Sequence, residues 1–294
     1  MTRRILLIIA VMTAITLSGA CQTSTTKSPS TEGNSPTQLY PNWPPVLNDF
    51  RFHWTAEPGI DITTGPAMVV RAYLESYNTA WFTLNLDNLF PGFRRVTPEN
   101  QKPVGDFLWQ LVQIRPLGSG YTKTAKDARP HFGYQALHFL ELTPVENGFR
   151  AIVCTGDYAH FVESTTRPGK FVSIGANEET AQPDREDDSG VYPTQIDITQ
   201  RDPRVGPNPP SQRGPAPAPD QDVFGDWYFT GASSSYWGPS NDRTSANFPP
   251  PELKNRCETA MPTPKPERLA MMTGFKDQPP PHGDAIPGWP LQAK

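Results

Sequence analysis

An α+β fold, with one long amphipathic helix packed on a curved antiparallel sheet, is predicted by three features of this sequence. Gly65-Pro66 opens a run in which Val70, Tyr73, Leu74, Tyr77, Trp81 and Leu84 recur at helical spacing. Two apolar runs, 134–142 (YQALHFLEL) and 149–154 (FRAIVC), flank a turn at 143–148 (TPVENG). Later strand candidates at 194–200 (TQIDITQ) and 223–231 (VFGDWYFTG) supply the rest of the sheet.

Each element has a local cause. Pro66 suits the first helical position, where its missing N–H costs nothing. The helix ends at 88–92 (NLFPG). The second hairpin run continues past Gly156 into 158–163, and Ile196 and Ile198 share one face of the next strand. Aromatic residues cluster before the helix (Trp43, Phe50, Phe52, Trp54) and after the hairpin (Trp227, Tyr228, Phe229, Tyr236, Trp237). Some build core, and others suit a sugar or lipid surface.

The first 21 residues predict export. Arg3 and Arg4 precede a largely apolar stretch of 13 residues, 5–17, which runs into Leu17-Ser18-Gly19-Ala20-Cys21. A basic start, a short apolar middle and small residues make a secretory signal. A membrane-crossing helix needs about 20 apolar residues. The cysteine directly after the small residues resembles a bacterial lipoprotein signal, which implies a diacylglycerol on Cys21 and cleavage before it. Two or more acyl chains hold stably where one holds weakly. The expectation is a lipid-anchored chain on the outer, extracytoplasmic face of a cell membrane, with membrane lipid as the partner of Cys21. Residues 22–40 are nearly all polar or Pro and read as a tether.

These features divide the chain into a signal (1–20), a flexible tether (21–42), one α+β domain (43–240) with a Pro-rich insertion near 202–220, and a Pro-rich tail (241–294). Pro is 35 of 294 residues, so the tail is expected as extended or polyproline-like chain. With Cys21 acylated, Cys154 and Cys257 remain as a pair in an oxidising compartment. They are expected to form a disulfide that staples the tail to the sheet. Net charge is −4, and without Arg3 and Arg4 the balance is 24 basic to 30 acidic residues. That argues against nucleic acid as a partner.

The helix, the FPGF-type turn, the ENG hairpin and the FGDW segment give the chain a further likeness. Stretches 70–92, 142–156 and 223–231 resemble secreted lipoproteins of mycobacteria and related actinobacteria, which are of uncharacterised function. Some of these have cone-shaped NTF2-like or cystatin-like folds. The resemblance implies a compartment and a cone-like fold, and it implies no activity.

The chemistry-bearing residues are sparse. No G-x-S-x-G, Gly-rich phosphate loop or metal-ligand spacing is present, and no cofactor or metal is expected. His138 and Glu141, like His160 and Glu163, are three apart and on strands point to opposite faces. His138 and His160 could still meet across the sheet. Asp157 and His160 form a candidate acid–base pair in the mouth of a cone, and with His138 and Trp227 they are the candidate pocket residues. The first functional expectation is a non-catalytic binding or interaction module of the envelope. It would take an envelope protein or an apolar or sugar ligand. The alternatives are an envelope enzyme with a cone-shaped pocket and an accessory subunit of a membrane complex.

Overall fold

Phe50, Phe52 and Trp54 alternate with more polar neighbours, and this period of two builds the first strand, β1 (Asp49–Ala56). A computed structural model of the chain places it. The described residues are 40–118, 120–185, 188–200, 210–242, 244 and 248–291, and all lie in one unit, Pro36–Lys294. Helix α1 (Gly65–Phe82) follows β1. After the short α2 (Phe93–Val96) and a 3-10 turn at Trp109–Leu111 comes the long β2 (His131–Val145). It folds back into β3 (Gly148–Gly156), with Asn147 at φ 74° in the two-residue turn. Then come β4 (His160–Glu163), β5 (Phe171–Ser173), β6 (Val191–Thr199) and β7 (Tyr228–Ser233). Helices α3 (Pro251–Ala260) and α4 (Lys265–Met272) close the chain.

The seven strands form one sheet in the order β5-β4-β2-β3-β6-β7, with β1 parallel to β2 on its other side. All other pairings are antiparallel. The sheet curls like part of a barrel. Register breaks between Phe139 and Glu141, and between Asp197 and Ile198, supply local bends.

Side-chain alternation sends the two faces to different cores. Leu137, Phe139, Val153, Ile196 and Phe229 join Met68, Ala72 and Tyr73 of α1 in the main core. Ala136, Leu140, Ile152 and Cys154 face the other way, against Cys257 and Met261 of the α3 region and Met272 of α4. The disulfide joins Cys154 to Cys257 across this second core.

Two expectations need correction. Helix α1 is not one-sided: thirteen of its eighteen residues are buried, Arg71 and Glu75 among them. The cause is the chain that covers its outer side. Gly214 and Ala216 bridge to Gly288 and Trp289, and this pair of segments lies over Arg71. The contact is close enough that a Cβ on Gly288 would stand 2.2 Å from the Gly214 carbonyl oxygen. The tail is likewise not simply extended chain. Its Pro-rich pieces start α3 and α4, with Pro at N1 or N2 of each, and Trp289 is wholly buried in the main core. Cys21 and residues 202–209 of the Pro-rich insertion lie outside the described residues.

Candidate functional site

Between α1, the Trp109–Leu111 turn and the concave face of the sheet lies a cavity of about 270 Å³. Tyr77 and Asn78 line it from α1, Thr155 from β3, and Tyr192 and Thr194 from β6. Thr155 and Tyr192 sit opposite each other in the β3/β6 ladder, so both side chains point to the same side.

A polar chain runs behind this lining and joins four elements. Asn78 Nδ2 donates to Gln135 Oε1 at 2.8 Å, and Gln135 Nε2 donates to Asp157 Oδ1 at 2.7 Å. The Tyr192 hydroxyl also bonds Asp157, and Thr155 bonds Tyr192. Asp157 is thus the terminal acceptor, one hydrogen bond in from the cavity wall. Burial pushes its carboxyl up to about 6, against the pull of Gln135 and Tyr192. Tyr192 is pushed well above the usual phenol value, first by burial and then by the Asp157 charge. The arrangement holds the Tyr192 and Thr155 hydroxyls in fixed orientations and keeps a carboxylate poised near neutral pH behind them.

The other sequence candidates lie elsewhere. His160 does not pair with the Asp157 carboxyl; the two share only a backbone bond, His160 N–H to Asp157 C=O at 3.2 Å. The chain bends at 157–159, so β4 turns the His160 ring between Phe50 and Phe82, 4.4 and 4.5 Å between centroids. Its ring partner is His131, at 2.6 Å, whose Nε2 in turn meets the Phe82 carbonyl at 3.1 Å. A carbonyl only accepts, so His131 carries its proton on Nε2 and accepts from His160 on Nδ1. His138 faces the other side of the sheet, against Thr55 at 2.8 Å and Glu57 at 3.4 Å, and does not meet His160. Trp227 is main core, edge-on to Phe149, and does not line the cavity.

Gln135, Tyr192 and Asn78 were not among the sequence candidates. Only the alternation of 192 and 194 with 196 and 198 in β6 hinted that Tyr192 shares a face with the Ile pair. Among the described residues no group of three or more His, Cys, Asp or Glu could hold a metal ion. No described helix is long and apolar enough to cross a membrane. No protein-family model, curated protein or solved structure matches the chain.

The buried titrating groups act in opposite senses on stability. Burial pushes His131 down to about 4, and His160 well below the usual range, so the unfolded chain binds protons that the folded one refuses. Their contribution is intact above pH 6.5 and is lost as pH falls toward 4. Asp157 does the reverse: the folded state keeps a proton that the unfolded state releases above 3.8, so its contribution falls as pH rises to about 6. Asp157→Asn removes only the second effect. Relative to wild type, it is expected to gain about 3 kcal/mol between pH 4 and 7. Urea unfolding at each pH reads this, and parallel curves for the two proteins would refute it.

Proposed function

We propose that this is an exported lipoprotein, anchored through Cys21, whose α+β domain binds a small ligand in the concave-face cavity. The observation that carries the binding reading is the cavity itself: an open pocket with Tyr77, Trp109 and Tyr192 in its walls, whose Tyr192 hydroxyl is held from behind by the Asn78–Gln135–Asp157 chain. Pockets with a few fixed polar groups among aromatic walls suit small-molecule recognition. The curl of the sheet around this space supports a cone-like fold of NTF2-like or cystatin-like kind. The basic start, apolar run and Leu17–Cys21 sequence support the anchor.

Two measurements test this reading. Small molecules released by denaturing the purified protein, identified by mass spectrometry, should be present in wild type. They should be missing from Thr194→Trp, whose indole fills the cavity. Equal content in both would remove the binding reading. For the anchor, metabolic labelling with an alkyne fatty acid should mark wild type and not Cys21→Ala; equal labelling would remove it.

A catalytic reading has one observation in its favour, the Asp157 carboxyl pushed up to about 6 behind the wall. A base of that strength operates near neutral pH. It would act through the Tyr192 hydroxyl rather than with His160. Turnover of a bound ligand that Asp157→Asn abolishes, with binding retained, would favour catalysis over binding alone.

A further inference from the structure

We infer that the cavity is one half of a longer cleft that crosses the end of β7, and that its occupant is a neutral oligosaccharide. This rests on the ligand-binding reading above and names the ligand class.

A second cavity, of about 290 Å³, lies on the opposite face of the same strands. Strand alternation explains the pairing: Tyr192 and Thr194 of β6 line the first cavity, while Pro193 and Gln195 line the second. Ser233 and Ser235 line both. β7 is the last strand of the sheet and stops at Ser233, opposite Gln195. Among the described residues no strand continues it beside Tyr192–Thr194. The two cavities therefore meet round a sheet edge whose rim carries serine hydroxyls.

The lining chemistry selects the ligand class. Among the described residues no charged side chain lines the first cavity. Among the described residues the one charged side chain lining the second, Arg150, is held by both oxygens of Asp197, at 2.9 and 2.7 Å. An anion would find no uncommitted cation there among the described residues. An acyl chain would leave the Gln113 and Gln195 amides and the Thr194 hydroxyl facing hydrocarbon, which disfavours it. Aromatic rings stand on both sides of the rim, Tyr77 and Trp109 on one and Trp237 and Phe248 on the other. Flat faces beside hydroxyls and amides match a chain of neutral sugar rings, which stack on one side and hydrogen-bond at their edges.

The outer platform is built rather than incidental. Trp237 lies against β7 at Gly231, where a Cβ would stand 2.8 Å from its ring. The Arg150 guanidinium braces the same ring, 5.6 Å from its centroid. Gln110 holds the next backbone N–H, that of Gly238, at 3.1 Å. A ring fixed in advance loses little freedom on binding. Addition of a peptide strand along β7 is disfavoured, because the Leu108–Pro239 bridge and the Trp109–Leu111 turn pack beside that strand.

Titration calorimetry on the mature protein tests the inference. The probes are maltotetraose, cellotetraose, mannotetraose and chitotetraose, their monosaccharides, palmitate, and a tetragalacturonate as the anionic control. At least one neutral tetrasaccharide should bind. Trp237→Ala, checked for an unchanged melting temperature, should weaken the tetrasaccharide about tenfold and leave its monosaccharide unaffected. Thr194→Trp should abolish both. Tetrasaccharide binding indifferent to Trp237→Ala would overturn the two-cavity cleft. Binding of palmitate or of the galacturonate instead, blocked by Thr194→Trp, would overturn the ligand class while sustaining the pocket reading. Binding of none of the neutral sugars would overturn the inference outright; loss of the pocket reading itself is read separately, from the co-purified small molecules.

Discussion

Glu75→Ala is expected to lower unfolding free energy by about 3–5 kcal/mol, the usual cost of leaving a buried charge without its partner. Glu75 sits inside α1 and is almost wholly buried. Its Oε1 accepts from the Trp54 indole at 2.9 Å and its Oε2 from the Trp289 indole at 2.6 Å. Arg71, one turn earlier, approaches Oε1 at 3.4 Å and stacks its guanidinium 3.6 Å from the centre of the Trp289 ring. Burial pushes the Glu75 carboxyl up to about 7, while Arg71 and the two indoles pull it down. Alanine would strand the Arg71 cation and two indole N–H groups at once. The double variant Arg71→Met, Glu75→Leu removes the charge as well as its partner, so it should cost less than Glu75→Ala alone. Urea unfolding compares the two, and a double variant at least as unstable as the single would contradict the charge argument.

This cluster also marks where the sequence stops being legible. The period of Val70, Tyr73, Leu74, Tyr77 and Trp81 correctly locates α1, and Pro66 its start. The same period assigns Arg71 and Glu75 to solvent, because it assumes one packed side. What covers them is Trp289, more than 200 residues away, and no local pattern announces that contact. β1 failed for a similar reason. Its alternating Phe50, Phe52 and Trp54 are a strand signal, but its partner β2 lies about 80 residues on and runs parallel to it, with no turn to connect them. The β2–β3 hairpin, by contrast, is local, and Asn147-Gly148 marks its turn directly.

The candidate site divides along the same line. Asp157 was identifiable as a carboxyl beside a strand end. Its partners were not, since Gln135, Asn78 and Tyr192 come from three other elements and are ordinary residues in isolation. Sequence alone gives no sign that the chain breaks between β3 and β4, so it sets His160 beside the Asp157 carboxyl. The bend at 157–159 moves the ring into the Phe50–Phe82 box and leaves the carboxyl with the cavity network.

Breaking the Cys154–Cys257 disulfide is the second large effect, and it is expected to be uneven along the chain. The bond closes a separation of 103 residues. The chain-entropy model assigns a loop near that size about 4.7 kcal/mol, and removal of native disulfides from small domains costs about 2–5 kcal/mol. Local contacts decide where the loss falls. Cys257 is the one buried residue of α3, so little apolar surface other than the bond holds that helix to the sheet. Helix α4 keeps Arg268 and Met272 buried. The end of the chain stays pinned by the Trp289 indole on Glu75 and by the Gly214–Gly288 and Ala216–Trp289 bridges. The paired variant Cys154→Ala, Cys257→Ala should therefore open α3 by local unfolding while the main core persists. Trypsin under native conditions should cut first at Lys254 and Arg256, at a rate well above wild type, with the Trp289 environment unchanged by fluorescence until global unfolding. Unchanged cleavage at those two sites would show that α3 docks without the bond, and early loss of the Trp289 signal would show that the second core supports the first.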